Sequence, residues 1–270
     1  MKKLYVLVVL LALCTGKAFA ITYDGNIYLA SQAEVDQFSV NYPGVTDITG
    51  ELRISNSSDI TSLSALNAIT SVGYLSISDN AVLQDLSGLN NLIAITYDFY
   101  FAGASPGSVS GLNGVTTIGG SLQIYGTGSL VSFTGFNALE SVSNIYITYN
   151  NVLETIPQFL NLDDLGYLAI YYNAELETCG VPGICNTLTN VSHSIHTNAG
   201  GCNTVQQIQA ACGLPITCGD VYLYSQTDVD NFAANNGCTI VTGTLYISGT
   251  DITNLNALSG ITSVGYLSLY

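Results

Sequence analysis

Basic side chains are nearly absent from this 270-residue sequence once its first twenty residues are set aside. The chain holds 4 Lys+Arg against 19 Asp+Glu, a formal charge of −15. Three of the four cations lie before residue 21, so Arg53 is the only permanent cation in the remainder. Binding to nucleic acid or anionic lipid needs several Lys or Arg contacts, and a P-loop needs a lysine. The composition therefore excludes these functions.

Long apolar runs are also absent, except for one at the N-terminus. Residues 4–13 are almost entirely apolar and lie between a Lys-Lys pair and the small residues Ala18 and Ala20. This arrangement is typical of a cleaved secretory signal peptide and is too short to span a bilayer. A lipoprotein anchored at Cys14 is the alternative. The sequence predicts a signal peptide over residues 1–20 and a secreted or outer cell-surface protein without membrane insertion.

A repeat of about 23 residues runs through most of the chain. Gly73-Tyr-Leu75-Ser-Ile77-Ser is representative, and the first apolar anchors stand at positions 52, 75, 99, 122, 145 and 168. An irregular seventh unit follows, with Ile195 as its expected anchor. Anchors two residues apart share one face of a strand, and such units bury that face only by stacking. The repeat predicts a mainly β protein, a parallel β-solenoid with short capping helices.

A longer repeat encloses the short one. Residues 25–38 recur at 219–232, and residues 59–78 match residues 251–270 at 14 of 20 positions. We expect a complete module at 21–215 and the start of a second, truncated module at 216–270, which predicts that the sequence is a fragment. Ser31 and Glu34 predict a capping box before the first helix, and residues 204–211 predict a terminal helix.

Three segments resemble the receptor L-domain family, leucine-rich-repeat relatives found in receptor ectodomains and in secreted bacterial surface proteins of the Bacteroidetes type. They are the helix after Ser31, residues 48–54 and residues 69–77. The resemblance implies a right-handed parallel solenoid with a binding role. It also implies that an asparagine after the second anchor hydrogen-bonds the backbone at each turn. This structural ladder is Asn80, Asn150 and Asn173, with Ser57, Ala104 and Thr127 in other units.

Six cysteines remain when Cys14 is set aside, and an even number in an exported chain predicts disulfides. They are Cys179, Cys185, Cys202, Cys212, Cys218 and Cys238. Cys218 and Cys238 are expected to be partners, because the first module lacks a cysteine at both equivalent positions.

The other four cysteines surround the expected terminal helix. Cys202 and Cys212 flank this helix and lie too far apart to bond each other. Each is therefore expected to bond Cys179 or Cys185, in an order that the sequence leaves open. A zinc site is the competing interpretation, but the spacings are not those of CxxC pairs.

The motifs that could carry catalysis lack necessary parts. Residues 103–107 match a GxSxG nucleophile elbow, but Pro106 has no N–H for an oxyanion and no helix is expected to follow. His193 and His196, three residues apart on a strand, face opposite sides and cannot share a metal. We therefore expect no metal and no cofactor.

Acidic side chains on the outward strand positions do not suggest an active site either. Glu51 and Asp98 are outward but isolated from each other, beside the single Arg53. A polysaccharide-active β-helix enzyme would need clustered carboxylates with a metal or a base. The sequence therefore predicts a non-enzymatic protein, with such an enzyme as the catalytic alternative.

Tyrosines are expected on the outward face of the sheet. They are Tyr74, Tyr100, Tyr125, Tyr146, Tyr167 and Tyr171. Tyrosine provides a large rigid contact area and a hydroxyl group, as binding surfaces use them, and sugar faces also stack on aromatic rings. These residues predict an extracellular binding or adhesion protein for a protein or carbohydrate ligand. The alternative is a structural spacer, because tyrosines also suit strands and pack on cross-strand neighbours.

Overall fold

The computed structural model describes residues 20–103, 109–235 and 237–270. Most of the signal peptide predicted over residues 1–20, with Cys14, lies outside the described residues. So do residues 104–108, which include Ala104 and the serine and proline of the GxSxG match.

Ten strands form one sheet in which every pair is parallel. They are β1 (Ile21–Tyr23), β2 (Ile27–Leu29), β3 (Val45–Ser57), β4 (Ser71–Asn80), β5 (Ala94–Ile95), β6 (Phe99–Ala102), β7 (Thr117–Tyr125), β8 (Ser141–Thr148), β9 (Asp164–Asn173) and β10 (Ser192–Asn198). Strand order follows the chain, with β1 and β2 both on β3, and with β5 and β6 both between β4 and β7. The expectation of a mainly β chain with a parallel sheet is confirmed.

The sheet keeps the register that the repeat predicts. Leu52 pairs with Leu75, and the pairing continues through the anchors of β6, β7, β8 and β9. The expected anchor of the seventh unit is wrong, because His193 pairs with Leu168 and Ile195 aligns with the second anchor of β9. β10 is the last strand of this sheet, and His193 is exposed there. That position therefore does not require an apolar side chain.

The anchors pack against leucines of the connecting segments in one continuous core. Leu83, Leu86, Leu89 and Leu92 are all at most 3% exposed. Short 3₁₀ turns carry some of these leucines, at Ser64–Leu66, Ser87–Leu89 and Ser110–Leu112. Burying one such side chain contributes about 1.5–3 kcal/mol, so the repeated leucines stabilise every unit against its neighbours.

A polar ladder runs along one edge of this core. Asn80, Asn150 and Asn173 are fully buried, and each donates from Nδ2 to a carbonyl of the preceding strand at 2.8–3.1 Å. Asn198 extends the ladder and donates to the Ile170 carbonyl at 2.8 Å. Asn198 was not predicted, because Ile195 is the second anchor of its unit and not the first.

Helices cover the first strands of the sheet. α1 (Gln32–Asp36) and α2 (Phe38–Asn41) bury Val35 and Phe38. The Ser31 hydroxyl accepts from the Glu34 backbone N–H at 3.3 Å. The Glu34 carboxylate, however, accepts from Ala30 at 2.7 Å. Only one of the two hydrogen bonds of the predicted capping box is therefore formed, because Glu34 reaches one residue further back.

Two more helices lie beyond β9, α3 (Pro182–Thr187) and α4 (Val205–Ala211). Thr204 and Gln207 form a complete capping box. The terminal helix ends at Ala211 as predicted and begins one residue later than predicted, because Thr204 is its N-cap. Cys179 is bonded to Cys202 and Cys185 to Cys212, with Cα–Cα distances of 5.5 and 5.4 Å. These pairs give the order that the sequence left open.

A second, four-stranded parallel sheet follows. It contains β11 (Thr217–Cys218), β12 (Val221–Leu223), β13 (Ile240–Ile247) and β14 (Ser263–Leu269). The helices α5 (Gln226–Asp230) and α6 (Phe232–Asn235) repeat the arrangement of α1 and α2. Cys218 is bonded to Cys238, as the module alignment predicts, with a Cα–Cα distance of 5.8 Å. This sheet has its own buried cluster around Val229 and Val241.

Candidate binding surface

The outward face of the ten-stranded sheet consists of the residues that alternate with the buried anchors. All six tyrosines selected from the sequence lie on this face. Tyr74 and Tyr125 are 41% and 47% exposed. The other four are partly exposed. The outward direction of these side chains therefore agrees with the period-two pattern of the strands.

A depression of about 330 Å³ lies on this face over β4. Arg53 pairs with Ser76, and Ser76 pairs with Tyr100, so the three side chains follow one another across β3, β4 and β6. The small side chains of Ser76 and Ser78 form the floor between larger neighbours. The rest of its lining includes Glu51, Tyr74, Asp98 and Gln123.

Arg53 and Glu51 form an ion pair at the edge of this depression. The Arg53 Nε donates to Glu51 Oε1 at 2.8 Å, and half of the Arg53 side chain remains exposed. The hydrogen bond and the charge of Glu51 raise the pKa of Arg53. Its guanidinium also lies 5.7 Å from the centroid of the Tyr28 ring. Both contacts hold the guanidinium in a defined direction, as expected for an arginine with a planar fork of donors.

Asp98 has a structural role in the same place. Its Oδ1 accepts from the Ser121 backbone N–H at 2.7 Å, next to the register shift between Ile118 and Ser121. Asn26 makes the equivalent bond to the Glu51 N–H at 2.8 Å. Glu51 and Asp98 both line the depression, on either side of Tyr74, since Glu51 pairs with Tyr74 and the Leu75 N–H donates to the Asp98 carbonyl. Each carboxylate has its own partner, Arg53 for Glu51 and Ser121 for Asp98.

Two tyrosines form aromatic walls of the depression. Tyr74 stacks on Tyr97 with ring centroids 4.6 Å apart, and this contact covers one of its faces. Burial raises the pKa of Tyr100, and Tyr125 and Asp79 raise it further. The Tyr100 hydroxyl therefore stays protonated at neutral pH and can donate a hydrogen bond.

A second group of rings lies toward β10. Tyr149 stacks on Tyr172 at 4.8 Å, and Tyr171 stacks on His196 at 5.0 Å. Tyr125 contacts Tyr149 at 5.5 Å. Tyr149, Tyr172 and His196 were not predicted for this surface. Both tyrosines are at positive φ, so the period-two alternation of a strand does not give their direction. Tyr149 and Tyr172 nevertheless remain 45% and 42% exposed, so this group also presents ring surface to solvent. Tyr146 and Tyr167 form a further pair at 5.7 Å.

Neither a metal cluster nor a membrane-spanning helix is found among the described residues. Residues 20–103, 109–235 and 237–270 contain no group of three or more His, Cys, Asp or Glu side chains that could hold a metal ion. Within the same ranges no helix has the length and apolar character needed to cross a membrane. No protein-family model matches the chain, and no curated protein or solved structure matches it.

Proposed function

We propose that the chain is a non-enzymatic extracellular or cell-surface protein that binds a protein or carbohydrate ligand on the outward face of its parallel sheet. In this proposal the 23-residue units form a right-handed solenoid of the receptor L-domain type. Residues 1–20 direct export, residues 21–215 form one module and residues 216–270 begin a second. The observation that carries the proposal is the depression between Arg53 and Tyr100.

The compartment is supported by the cysteines. All six described cysteines are paired. Disulfides form and persist in oxidising environments, which favours an extracellular location. Two of these bonds lie at the C-terminal end of the first core, and the third lies at the start of the second sheet.

The depression suits binding because its lining is already in place. Arg53, Ser76 and Tyr100 project from neighbouring strands whose backbones are fixed by the parallel ladder. Side chains on rigid elements lose little conformational entropy when a ligand binds. The carboxylates there already have partners, since Glu51 pairs with Arg53 and Asp98 accepts from Ser121. This engagement supports binding rather than proton-transfer chemistry.

The proposal is tested with a substitution that fills the depression and leaves the buried core unchanged. Ser76→Tyr places a ring on its floor, and Ser194→Tyr makes the same change at the equivalent outward position of β10. The labelled full chain is applied to arrays of glycans and of purified extracellular proteins. We expect saturable binding that Ser76→Tyr weakens at least tenfold, about 1.4 kcal/mol, while Ser194→Tyr leaves it unchanged.

Two results would contradict the proposal. One is a folded Ser76→Tyr variant, with unchanged circular dichroism and melting temperature, that binds as tightly as the original chain. The other is a chain that binds nothing on either array, which would favour the structural spacer.

A further inference from the structure

We infer that the depression between Arg53 and Tyr100 binds an uncharged polysaccharide, with the Glu51–Arg53 pair as its specificity-determining group. The inference rests on the proposed function, because it names the ligand class of the same site. It follows from the charge of the chain, from the free hydrogen-bonding atoms of the site and from its aromatic walls.

Charge disfavours an anionic ligand. After residue 20 the chain carries 19 acidic side chains and one arginine, so its field repels an anionic polymer. Inside the depression, the half-exposed guanidinium of Arg53 lies with the carboxylates of Glu51 and Asp98, so donors and acceptors of opposite charge stand side by side. A ligand without net charge avoids the repulsion and can use both kinds of group, and oligolysine in the experiment below tests a cationic ligand.

The free polar atoms match hydroxyl groups. Arg53 uses Nε for Glu51, and its two terminal nitrogens have no partner within the part of the chain that the structure describes. Glu51 likewise retains Oε2, and Asp98 retains Oδ2. A fork of donors is thus flanked by carboxylate acceptors. Each hydroxyl of a sugar both donates and accepts, so neighbouring hydroxyls can satisfy both kinds of group together.

The shape and the aromatic walls fit the same ligand. A volume of about 330 Å³ is at the small end of ligand sites, which suits a short stretch of a polymer lying across the face. The hydroxyls of Ser76 and Ser78 make the floor polar, and Tyr74 and Tyr100 supply ring surface at the sides. Sugars combine polar edges with apolar C–H faces, and this lining offers a partner for both.

The second sheet provides a natural comparison. Tyr246 pairs with Tyr222 as Arg53 pairs with Tyr28, and Thr244 stands in the place of Glu51. The same strand position therefore accepts Thr and Tyr in a parallel sheet of this chain. The double variant Glu51→Thr/Arg53→Tyr should consequently fold, while it removes both charged groups from the depression.

The experiment measures binding of the full chain to immobilised neutral glycans built from hexoses and N-acetylhexosamines, to polygalacturonate and to oligolysine. We expect saturable binding to at least one neutral glycan, with a dissociation constant that changes less than twofold between 50 and 500 mM NaCl, because no ionic contact is screened. Ser76→Tyr and Glu51→Thr/Arg53→Tyr should each weaken it at least tenfold. Arg53→Lys keeps the charge but lacks the fork, and should also weaken it.

The outcomes separate this inference from the proposed function. Binding that Ser76→Tyr abolishes, but that is confined to a protein, polygalacturonate or oligolysine, overturns the uncharged-glycan inference and leaves the proposed function standing. Neutral-glycan binding that survives both Glu51→Thr/Arg53→Tyr and Arg53→Lys removes the specificity role of the pair. Absence of any binding sensitive to Ser76→Tyr overturns both.

Discussion

The side-chain oxygen of Asn173 accepts two hydrogen bonds from Asn150, one from its backbone N–H and one from its Nδ2, each at 3.1 Å. The side-chain oxygen of Asn150 accepts in the same way from the N–H and hydroxyl of Thr127, at 3.0 and 2.7 Å. Each rung therefore satisfies a backbone donor at a buried turn, where an unpaired group costs about 1–3 kcal/mol. The ladder thus favours one defined turn position in each unit.

Replacing Asn150 with Ala should lower the free energy of unfolding by about 3 kcal/mol, because it leaves the Thr127 N–H and the Ile124 carbonyl without their partner. Urea unfolding followed by circular dichroism measures the change. Asn161→Ala is the matched control, since exposed Asn161 makes one long bond of 3.4 Å to the Asn137 carbonyl. We expect a loss below about 0.5 kcal/mol there. Equal losses in the two variants would refute a stabilising ladder.

The ladder also shows how far the sequence predicts this structure. Asn80, Asn150 and Asn173 follow from the regular period, because one unit fixes the next. Asn198 did not, since the unit before it contains the disulfide-bonded α3 segment and spans 25 residues from Leu168 to His193. A constant unit length therefore does not give the position of the asparagine in this last unit.

The depression was missed for a different physical reason. Its floor exists because Ser76 is small between Arg53 and Tyr100, which depends on cross-strand register and on three units considered together. Each outward acid stands alone within its own repeat unit, so the period by itself does not indicate that Glu51 and Asp98 line one depression. The role of Asp98 as an acceptor for the Ser121 N–H depends on a local register shift, which hydrophobic periodicity does not encode.

Asp47 should make the free energy of unfolding decrease as the pH becomes acidic. Burial alone would raise the pKa of Asp47, but hydrogen bonds from Ser71, Thr46 and Thr70 outweigh it and lower the pKa. The ionised form therefore favours the folded state above the unfolded pKa of about 4, and this contribution is lost as pH falls through the lower folded value. Asp47→Asn should cost about 1–2 kcal/mol at pH 7.

Urea unfolding of the original chain and of Asp47→Asn at pH 7 and at pH 3 checks this expectation. The difference between the two proteins should be largest at pH 7 and should narrow at pH 3. Asp163→Asn, at an exposed carboxylate, is the control for the general loss of one negative charge. A difference for Asp47→Asn that is the same at both pH values would contradict the role of its hydroxyl donors.

Substitution of Gly126 should lower the stability of the fold because of its backbone conformation alone. It follows β7 with φ at 60°, and a Cβ there would meet open space. The equivalent position of other units, four residues after the first anchor position, is also at positive φ and holds Asn56, Asp79, Tyr149, Tyr172 and Thr197. The left-handed conformation is therefore a fixed feature of the turn, and a residue with a Cβ adopts it at a cost. Gly126→Ala should therefore cost about 1–2 kcal/mol.

Gly128 gives the matched control for this change, because a Cβ there also meets open space and its φ is not positive. Gly128→Ala should be neutral, or stabilising by up to about 1 kcal/mol through the unfolded state. Melting temperatures of the two variants suffice for the comparison. Equal changes in melting temperature for the two variants would show that the left-handed conformation of Gly126 does not determine the cost of its substitution.

The disulfides Cys179–Cys202 and Cys218–Cys238 should stabilise different parts of the chain. The first closes a separation of 23 residues beside the large core, and the second closes 20 residues within the four-stranded sheet. Removing a crosslink of this span costs about 3 kcal/mol, since the unfolded chain regains conformational freedom. The smaller core around Val229 has less buried apolar surface with which to compensate.

Replacing both Cys218 and Cys238 with Ala should therefore make residues 216–270 sensitive to limited proteolysis, while the ten-stranded sheet keeps its protection against hydrogen exchange. The double change at Cys179 and Cys202 should instead speed hydrogen exchange in β9 and β10, the strands next to that bond. Each variant serves as the control for the other. If loss of Cys218–Cys238 opens β9 and β10 to the same extent, the two cores do not unfold separately and their stabilities must be treated as one cooperative unit.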